Sequence, residues 1–452
     1  MDHQQFQFST ALSFPAEDVF DWHLKQGAVQ RLLPPWRKVK IKEAGSLEVE
    51  GSKVELALKI GPFWKTWELE HTGYVPGREF MDVQIRGLFS DWRHRHRVLP
   101  TSENTCDLID DIEYALLPGL IKGKVHKELV RYFNWKHRIL GDDLATYRRY
   151  PSQKLRILLS GASGFIGGQL KAFLQAGGHE VVTLVCFKEL ASKESIFWNP
   201  VNEELRKEDF EGFDAVINLA GANIAGGHWT KNRKEKLFLS RCRDTWLLSQ
   251  VLQRLHQPPK IMLSASAVGI YGNRGDEVLT EASVQGKGFL AELCTKWEEA
   301  TQVIEKSGAR VVLLRFGNIL SPSGGMLRKM LPLFQWGLGG KWGTGKQFLP
   351  WVALDDVIGA IYHALMEETL SGPLNIVAPF SVAQEEFVRL LAKELNRPAH
   401  FHMPAFLLRA VMGEMADASM LASMRAQPKK LLDSGYLFRF SDLESAFHYM
   451  LS

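Results

Sequence analysis

Three glycines at a spacing of three, Gly161, Gly164 and Gly167 in "ILLSGASGFIGGQL", constrain the fold of this chain more than any other feature. An apolar run from Leu155 to Ser160 leads into them, a helical run follows, and a second apolar strand, "EVVTLV", comes after that. This order is a βαβ unit, whose two strands pair in parallel. Glycine lets the turn backbone approach a pyrophosphate, and the helix behind it aims free N–H groups and its positive dipole end at that anion. Ser163, Phe165 and Ile166 fill the turn and the first helical positions, so residues 161–167 are expected to hold a dinucleotide.

The texture on either side of residue 150 differs. Up to Tyr150, short alternating runs such as "SKVELALKI" and "DWRHRHRVL" read as strands and end in a long helical segment. "PSQK" then reads as a linker. From Leu155 onward strands alternate with helices, which predicts an α/β Rossmann-type doubly wound parallel sheet. The domain boundaries expected are 1–150 and 154–452, with a small C-terminal substrate lobe mainly over 320–452. A net charge of +4, from 55 basic and 51 acidic residues, excludes a nucleic-acid-coating surface and a polybasic membrane anchor. No basic leader and no membrane-length apolar stretch is present, so the expected location is cytoplasmic. Cys106, Cys186, Cys242 and Cys294 form no C-x-x-C pattern, which argues against disulfides and structural zinc. Nothing in the sequence fixes an oligomeric state.

Cofactor choice is set at the end of the second strand, where an acid would bond a ribose hydroxyl and a base would accept a 2′-phosphate. "VCFKEL" has no acid at the strand end, and Lys188 is the nearest cation, so NADP is favoured over NAD; Lys188 as a solvated surface lysine is the alternative. The turn Asn218, Leu219, Ala220 and Gly221 in "INLAGANIAGGHWT" falls at another strand end and is expected to pass the cofactor. The strand in "KIMLSASAVGIYG" brings Ser264, Ser266, Tyr271 and, further on, Glu281 to the same end, where hydroxyls could polarise a carbonyl.

With these segments, and with "RFGNILSPSGGML", "GLGGKWGTGKQFLPWVALDDV", "LNIVAPFSV" and "MPAFLLRAVMGEMA", the chain from Leu155 onward resembles the extended short-chain dehydrogenase/reductase superfamily. Within it the chain is similar to the NAD(P)-dependent nucleoside-diphosphate-sugar epimerase branch, also called cell-division-inhibitor-like. The resemblance implies a small-molecule carbonyl or hydroxyl substrate. It places Ser266 at the superfamily's catalytic serine and Lys296 at its active-site lysine, which also contacts the cofactor. In "FLAELCTKWEEA" the tyrosine position is then Glu292, a carboxylate that accepts protons readily but donates them poorly at neutral pH. Glu292 and Lys296 could equally be a surface pair one helical turn apart, beside the apolar stripe Phe289, Leu293, Trp297 and Ala300. Tyr271 or Glu281 is then a candidate for the missing acid. The branch's arginine after the second strand is Phe187 here, so the NADP preference rests on Lys188.

In the C-terminal third, Lys341, Lys346, Gln347 and Trp351 lie in a glycine-rich stretch that suits a phosphorylated substrate or, equally, a packed loop. Asp355 and Asp356 stand at an expected helix start, where capping accounts for one of them. The first 150 residues resemble the START-like, polyketide-cyclase-like (SRPBCC) superfamily, carried by "LSFPAEDVFDWH", "AVQRLLPPWRKV", "GLFSDWRHRHRVL", "DLIDDIEYALLPG" and the final helix. That implies an α+β helix-grip domain with a hydrophobic ligand in its cavity. Alternation puts Trp92, His94, His96 and Val98 on one face of a strand. No third ligand stands near this His-x-His pair in the sequence, so satisfied cavity histidines are expected rather than a metal. Two readings follow: a cytoplasmic NADP-dependent oxidoreductase or epimerase, and a catalytically weak NADP(H)-binding sensor.

Overall fold

The computed structural model describes residues 3–150, 154–200 and 206–451. Most of the linker expected at "PSQK" lies outside them. The chain divides into two compact units, one of Met1–Gln153 with Ala172–Gly178 and the other of Lys154–Lys171 with His179–Ser452. Among the described residues no helix is long and apolar enough to cross a membrane.

The first unit is built on a seven-stranded antiparallel sheet. Its strands are β1 (His3–Leu12), β2 (Val39–Glu43), β3 (Lys53–Ile60), β4 (Phe63–Val75), β5 (Glu79–Arg86), β6 (Asp91–Ser102) and β7 (Thr105–Ala115), in the spatial order β1-β7-β6-β5-β4-β3-β2. The helix Lys122–Arg149 lays Leu129 and Phe133 against Phe6, Trp92, Ile112 and Tyr114 of the sheet. Alternation in β6 is as the sequence reads: Trp92, His94, His96 and Val98 are buried, while Arg93 and Arg95 are exposed. Arg31 and Asp143, both buried, meet through two hydrogen bonds of 2.8 Å and tie a short helix to the long one.

The second unit is a seven-stranded parallel sheet. Its first five strands in the chain are β8 (Arg156–Ser160), β9 (Glu180–Val185), β10 (Ser195–Phe197), β11 (Ala215–Asn218) and β12 (Ile261–Ala267). The order β10-β9-β8-β11-β12 continues through Arg310–Phe316 and Gly372–Ile376. The chain winds one way from β8 to β10 and the other from β11 onward, which opens a crevice above the carboxyl ends of β8 and β11. Ile157, Leu158 and Leu159 are fully buried, as a strand covered on both faces requires. The C-terminal lobe has a core of its own, in which Phe387 and Phe447 meet edge to face near Trp351.

Candidate functional site

The turn after β8 is shaped by approaches that no side chain could share. Gly161 has φ 75°, and a Cβ there would lie 2.8 Å from the Leu219 carbonyl carbon. A Cβ on Gly167 would stand 2.2 Å from the Gly161 oxygen, and one on Gly164 3.0 Å from the same atom. Ser163 and Gly164 stay exposed at the start of the helix Phe165–Ala176. Such a bare backbone cradle at a helix N-terminus fits a dinucleotide pyrophosphate, with Leu219, Ala220 and Gly221 as its second wall.

Asn218 is buried and acts from below rather than at the surface of this cradle. Its Oδ1 accepts from Ser160 Oγ, its Nδ2 donates to Thr245 Oγ1 (2.9 Å), and that hydroxyl also receives Trp297 Nε1 (3.1 Å). Ser160 Oγ in turn accepts from Ala220 N at 3.3 Å, so the network fixes the turn. Ser264 is fully buried on β12, and its hydroxyl has no hydrogen-bond partner among the described residues. Phe165 and Gly324 lie so close that a Cβ on the glycine would come within 2.3 Å of the ring.

At the end of β12 the structure departs from the sequence reading. Ser266 Oγ donates to Glu298 Oε1 at 2.6 Å, and Arg315 grips both oxygens of the same carboxylate, Nε on Oε1 at 2.9 Å and Nη2 on Oε2 at 2.8 Å. Arg315 Nη1 also donates to Tyr271 OH (2.9 Å), which donates to Asn375 Oδ1 (2.7 Å). Tyr271 is fully buried, burial pushes its pKa up, and its hydroxyl is committed to this network. Glu281 is likewise spent, accepting the Asn375 and Lys430 backbone N–H groups. Both candidates for the missing acid thus already have partners inside the fold.

The helix Phe289–Glu299 buries Leu293, Trp297 and, at its end, Ala300, as the surface-pair alternative implied, and leaves the superfamily's tyrosine and lysine positions on the outside. Lys296 and Glu292 are exposed, and Lys296 pairs with Glu299 at 2.7 Å rather than with Glu292. Towards β12 the helix presents Leu290, which a Cβ on Gly269 would touch, then Cys294 against Ala267, then Glu298. Burial pushes the Cys294 thiol up to about 12, so it is an inert apolar group. Glu298 was missed because nothing in "KWEEA" marks which glutamate faces inward. The spacing of four from Leu290 to Cys294 to Glu298 was the available signal.

Other expectations also shift. Gln347 is buried, its amide donating to Trp342 O and Met420 O, and the Trp351 indole donates to Phe380 O, so both build the lobe and leave Lys341 and Lys346 exposed. Asp356 caps no helix: it lies within Leu354–Met366 and accepts the Arg439 and Phe440 N–H groups at 2.7 and 3.1 Å. Phe187 and Lys188 are exposed just past β9.

Residues 157–377 match the NAD dependent epimerase/dehydratase family, and residues 403–450 match a domain of unknown function, DUF1731. An epimerase family protein of Mycobacterium bovis is 40% identical over 293 residues, 65% of this chain and 96% of its own length. The chain belongs to the NAD-dependent epimerase/dehydratase family. A human epimerase family protein is 35% identical over 65% of this chain and 98% of its own length, and a structure of a human protein of that description has been solved with NADPH (TM-score 0.61, 32% identity, covering 66% and 99%). The nucleoside-diphosphate sugar epimerase structure from Corynebacterium glutamicum aligns over 99% of this chain and 90% of that one, with a TM-score of 0.82 and 30% identity. Its match extends through the N-terminal unit. This is a family of nicotinamide-dependent enzymes.

The first unit holds a cavity of about 730 Å³, lined by Val54, Leu56, Trp67, Trp92 and Phe133 among others. A charged cluster lies at one side of it. Lys136 bonds both oxygens of Asp110 (2.7 and 2.9 Å), and Asp110 also meets His94 Nε2 (2.8 Å), His96 Nδ1 (2.7 Å) and His137 Nε2 (2.6 Å). Asp82 meets His71 Nδ1 at 2.6 Å and His96 Nε2 at 3.2 Å. Burial alone would raise Asp82, but the hydrogen bonds from His71 and His96 hold it well below the usual carboxylate range. Burial and the neighbouring His96 hold His94 down at about 4.

Proposed function

We propose that the second unit catalyses nicotinamide-dependent oxidoreduction or epimerisation at a carbonyl or secondary alcohol of a sugar-nucleotide-like substrate, with NADP as the preferred dinucleotide. The observation that carries this reading is the conjunction of the glycine cradle with the Ser266–Glu298–Arg315 chain at the end of β12. Residues 161–167 and 219–221 would hold the dinucleotide, whose nicotinamide exchanges hydride. In this reading Ser266, buried at the end of β12, would meet the reacting oxygen. Its own proton is aimed at Glu298, so a proton taken from a substrate hydroxyl at its Oγ would pass on to the carboxylate. Arg315 orients that carboxylate through paired hydrogen bonds. The NADP preference leans on Lys188 past β9, and the NADPH in the human relative's structure points the same way.

A second reading, a weakly catalytic NADP(H) sensor, is favoured by one observation. Leu290 and Cys294, both without usable acid–base chemistry, occupy the inward face of the helix where a proton donor would be placed. A titration with NADPH and NADH, followed by a carbonyl and sugar-nucleotide panel, separates the two. Binding with oxidation that Ser266→Ala abolishes supports the enzyme; tight binding without turnover on any member supports the sensor. For the first unit we infer a START-like domain that binds an apolar ligand, an inference supported by the sheet, the long helix and the volume and apolar walls of the cavity.

A further inference from the structure

The cavity of the first unit has one wall that apolar binding does not explain. Three of its side chains, Asp82, His94 and His96, bring one ligand atom each to within 4.8 Å of one another. Sheet register makes this possible: Asp82 on β5 stands directly opposite His94 on β6, and His96 follows two residues along the same face. Each of the three already has a partner in the fold. His71 Nδ1 meets Asp82 Oδ1 and Asp110 Oδ1 meets His94 Nε2, while His96 is met at both nitrogens, by Lys136 Nζ at Nδ1 (3.1 Å) and by Asp82 Oδ2 at Nε2 (3.2 Å). A metal ion entering between the three would take the place of the His96 Nε2–Asp82 Oδ2 contact, which already joins two of them.

We propose that Asp82, His94 and His96 form a binding site for one divalent first-row transition-metal ion, open towards the apolar cavity. Outer carboxylate and imidazole partners that fix each ligand's tautomer and direction are what metal sites of this kind require. Two imidazoles and one carboxylate suit zinc, iron(II) or cobalt(II) rather than calcium or magnesium.

A second observation is independent of the triad. His23 is buried and lines the same cavity, with its ring centroid 6.2 Å from that of His96. Its Nδ1 lies 2.9 Å from the Val19 carbonyl, so that nitrogen carries the hydrogen and Nε2 carries the lone pair. Nε2 is buried with no partner among the described residues. An orphaned imidazole lone pair beside a two-histidine, one-carboxylate group is a candidate fourth ligand, and it would leave at most one or two positions for a cavity ligand.

The test uses the full chain, stripped with chelator and titrated with cobalt(II) chloride while its visible absorption is followed. The expected result is one equivalent per chain giving the intense band of a four- or five-coordinate ion, blocked by prior zinc(II). His94→Ala and Asp82→Asn should weaken binding tenfold or more, while His256→Ala, an exposed histidine of the second unit, leaves it unchanged. Circular dichroism and melting establish which variants are folded, and should either fail to fold, the wild-type spectrum decides alone. A titration showing only the weak spectrum of the aqueous ion overturns the proposal. Retention of the band in a folded His94→Ala protein overturns it as well.

Discussion

Adding one methyl group along the cradle tests whether bare backbone is what holds the cofactor. Gly167, Gly164 and Gly168 form a graded series, since a Cβ would stand 2.2 Å from Gly161 O, 3.0 Å from Gly161 O and 3.5 Å from Ala162 O respectively. At Gly167 every close neighbour is backbone, with Gly161 C at 2.8 Å and Ala162 Cα at 2.9 Å, so nothing flexible can yield and the turn itself must move. Overpacking of this kind costs about 1–3 kcal/mol. If that cost falls on the cofactor-binding shape of the turn, Gly167→Ala should weaken NADPH binding by roughly 5- to 150-fold, at about 1.4 kcal/mol per tenfold. Gly164→Ala needs a shift of only a few tenths of an ångström and should fall between wild type and Gly167→Ala. Gly168→Ala makes an ordinary contact inside the helix Phe165–Ala176 and should raise stability by about 0.5–1 kcal/mol with binding unchanged, because alanine is the better helix former. Nicotinamide fluorescence titration and thermal melting read both effects. Wild-type NADPH affinity in Gly167→Ala, or the same loss in all three variants, would refute the argument.

Other expected outcomes are checkable with the same protein. Glu298→Gln should lower turnover on any substrate found by tenfold or more while NADPH affinity stays within about twofold, whereas Lys296→Ala should change neither; general acid–base groups contribute roughly 10²–10⁴-fold, and steady-state kinetics beside the fluorescence titration would show the opposite pattern if the superfamily's lysine role sits at Lys296. Asp143→Asn should destabilise the first unit by about 3–5 kcal/mol, measured by urea unfolding, because it removes the carboxylate charge that faces the buried Arg31 guanidinium; a change under about 1 kcal/mol would contradict it. Burial pushes Asp356 up to about 7 against the Arg439 and Phe440 N–H groups. Its folded value lies above its unfolded one, so its contribution to stability is complete below about pH 4 and is lost as pH rises through about 7, with a slope of up to about 1.4 kcal/mol per pH unit. Asp356→Asn should flatten melting temperature against pH across that window, and an unchanged profile would show that the carboxyl is ionised throughout.

The cradle was legible because everything that defines it is local: strand, glycine turn and helix are contiguous, and each glycine's neighbours lie within a few residues or at the next strand's end. The burial alternation of β6 was legible for the same reason, since a strand's period of two needs no partner. What failed needed partners distant in the chain. Ser266 and Glu298 are 32 residues apart and meet only because a helix packs on β12, and which of Glu292, Lys296 and Glu298 faces inward depends on how that helix is rotated. The place of Asp82 beside His94 was invisible because it is set by hairpin register. Tyr271 and Glu281 looked free for chemistry because a sequence does not show that Asn375, Arg315 and Lys430 use them.

The hydrogen bonds around Ser266 also define a distance. From Ser266 they run through Glu298, Arg315 and Tyr271 to Asn375, whose Nδ2 reaches Gln427 O and whose N–H shares Glu281 with Lys430. The serine's position is therefore surveyed from a benchmark some 160 residues downstream, inside the stretch that matches the domain of unknown function. A chain ending before that stretch would keep its parallel sheet and lose the plumb line for Ser266, whose position depends on the residues at 427 and 430 holding still.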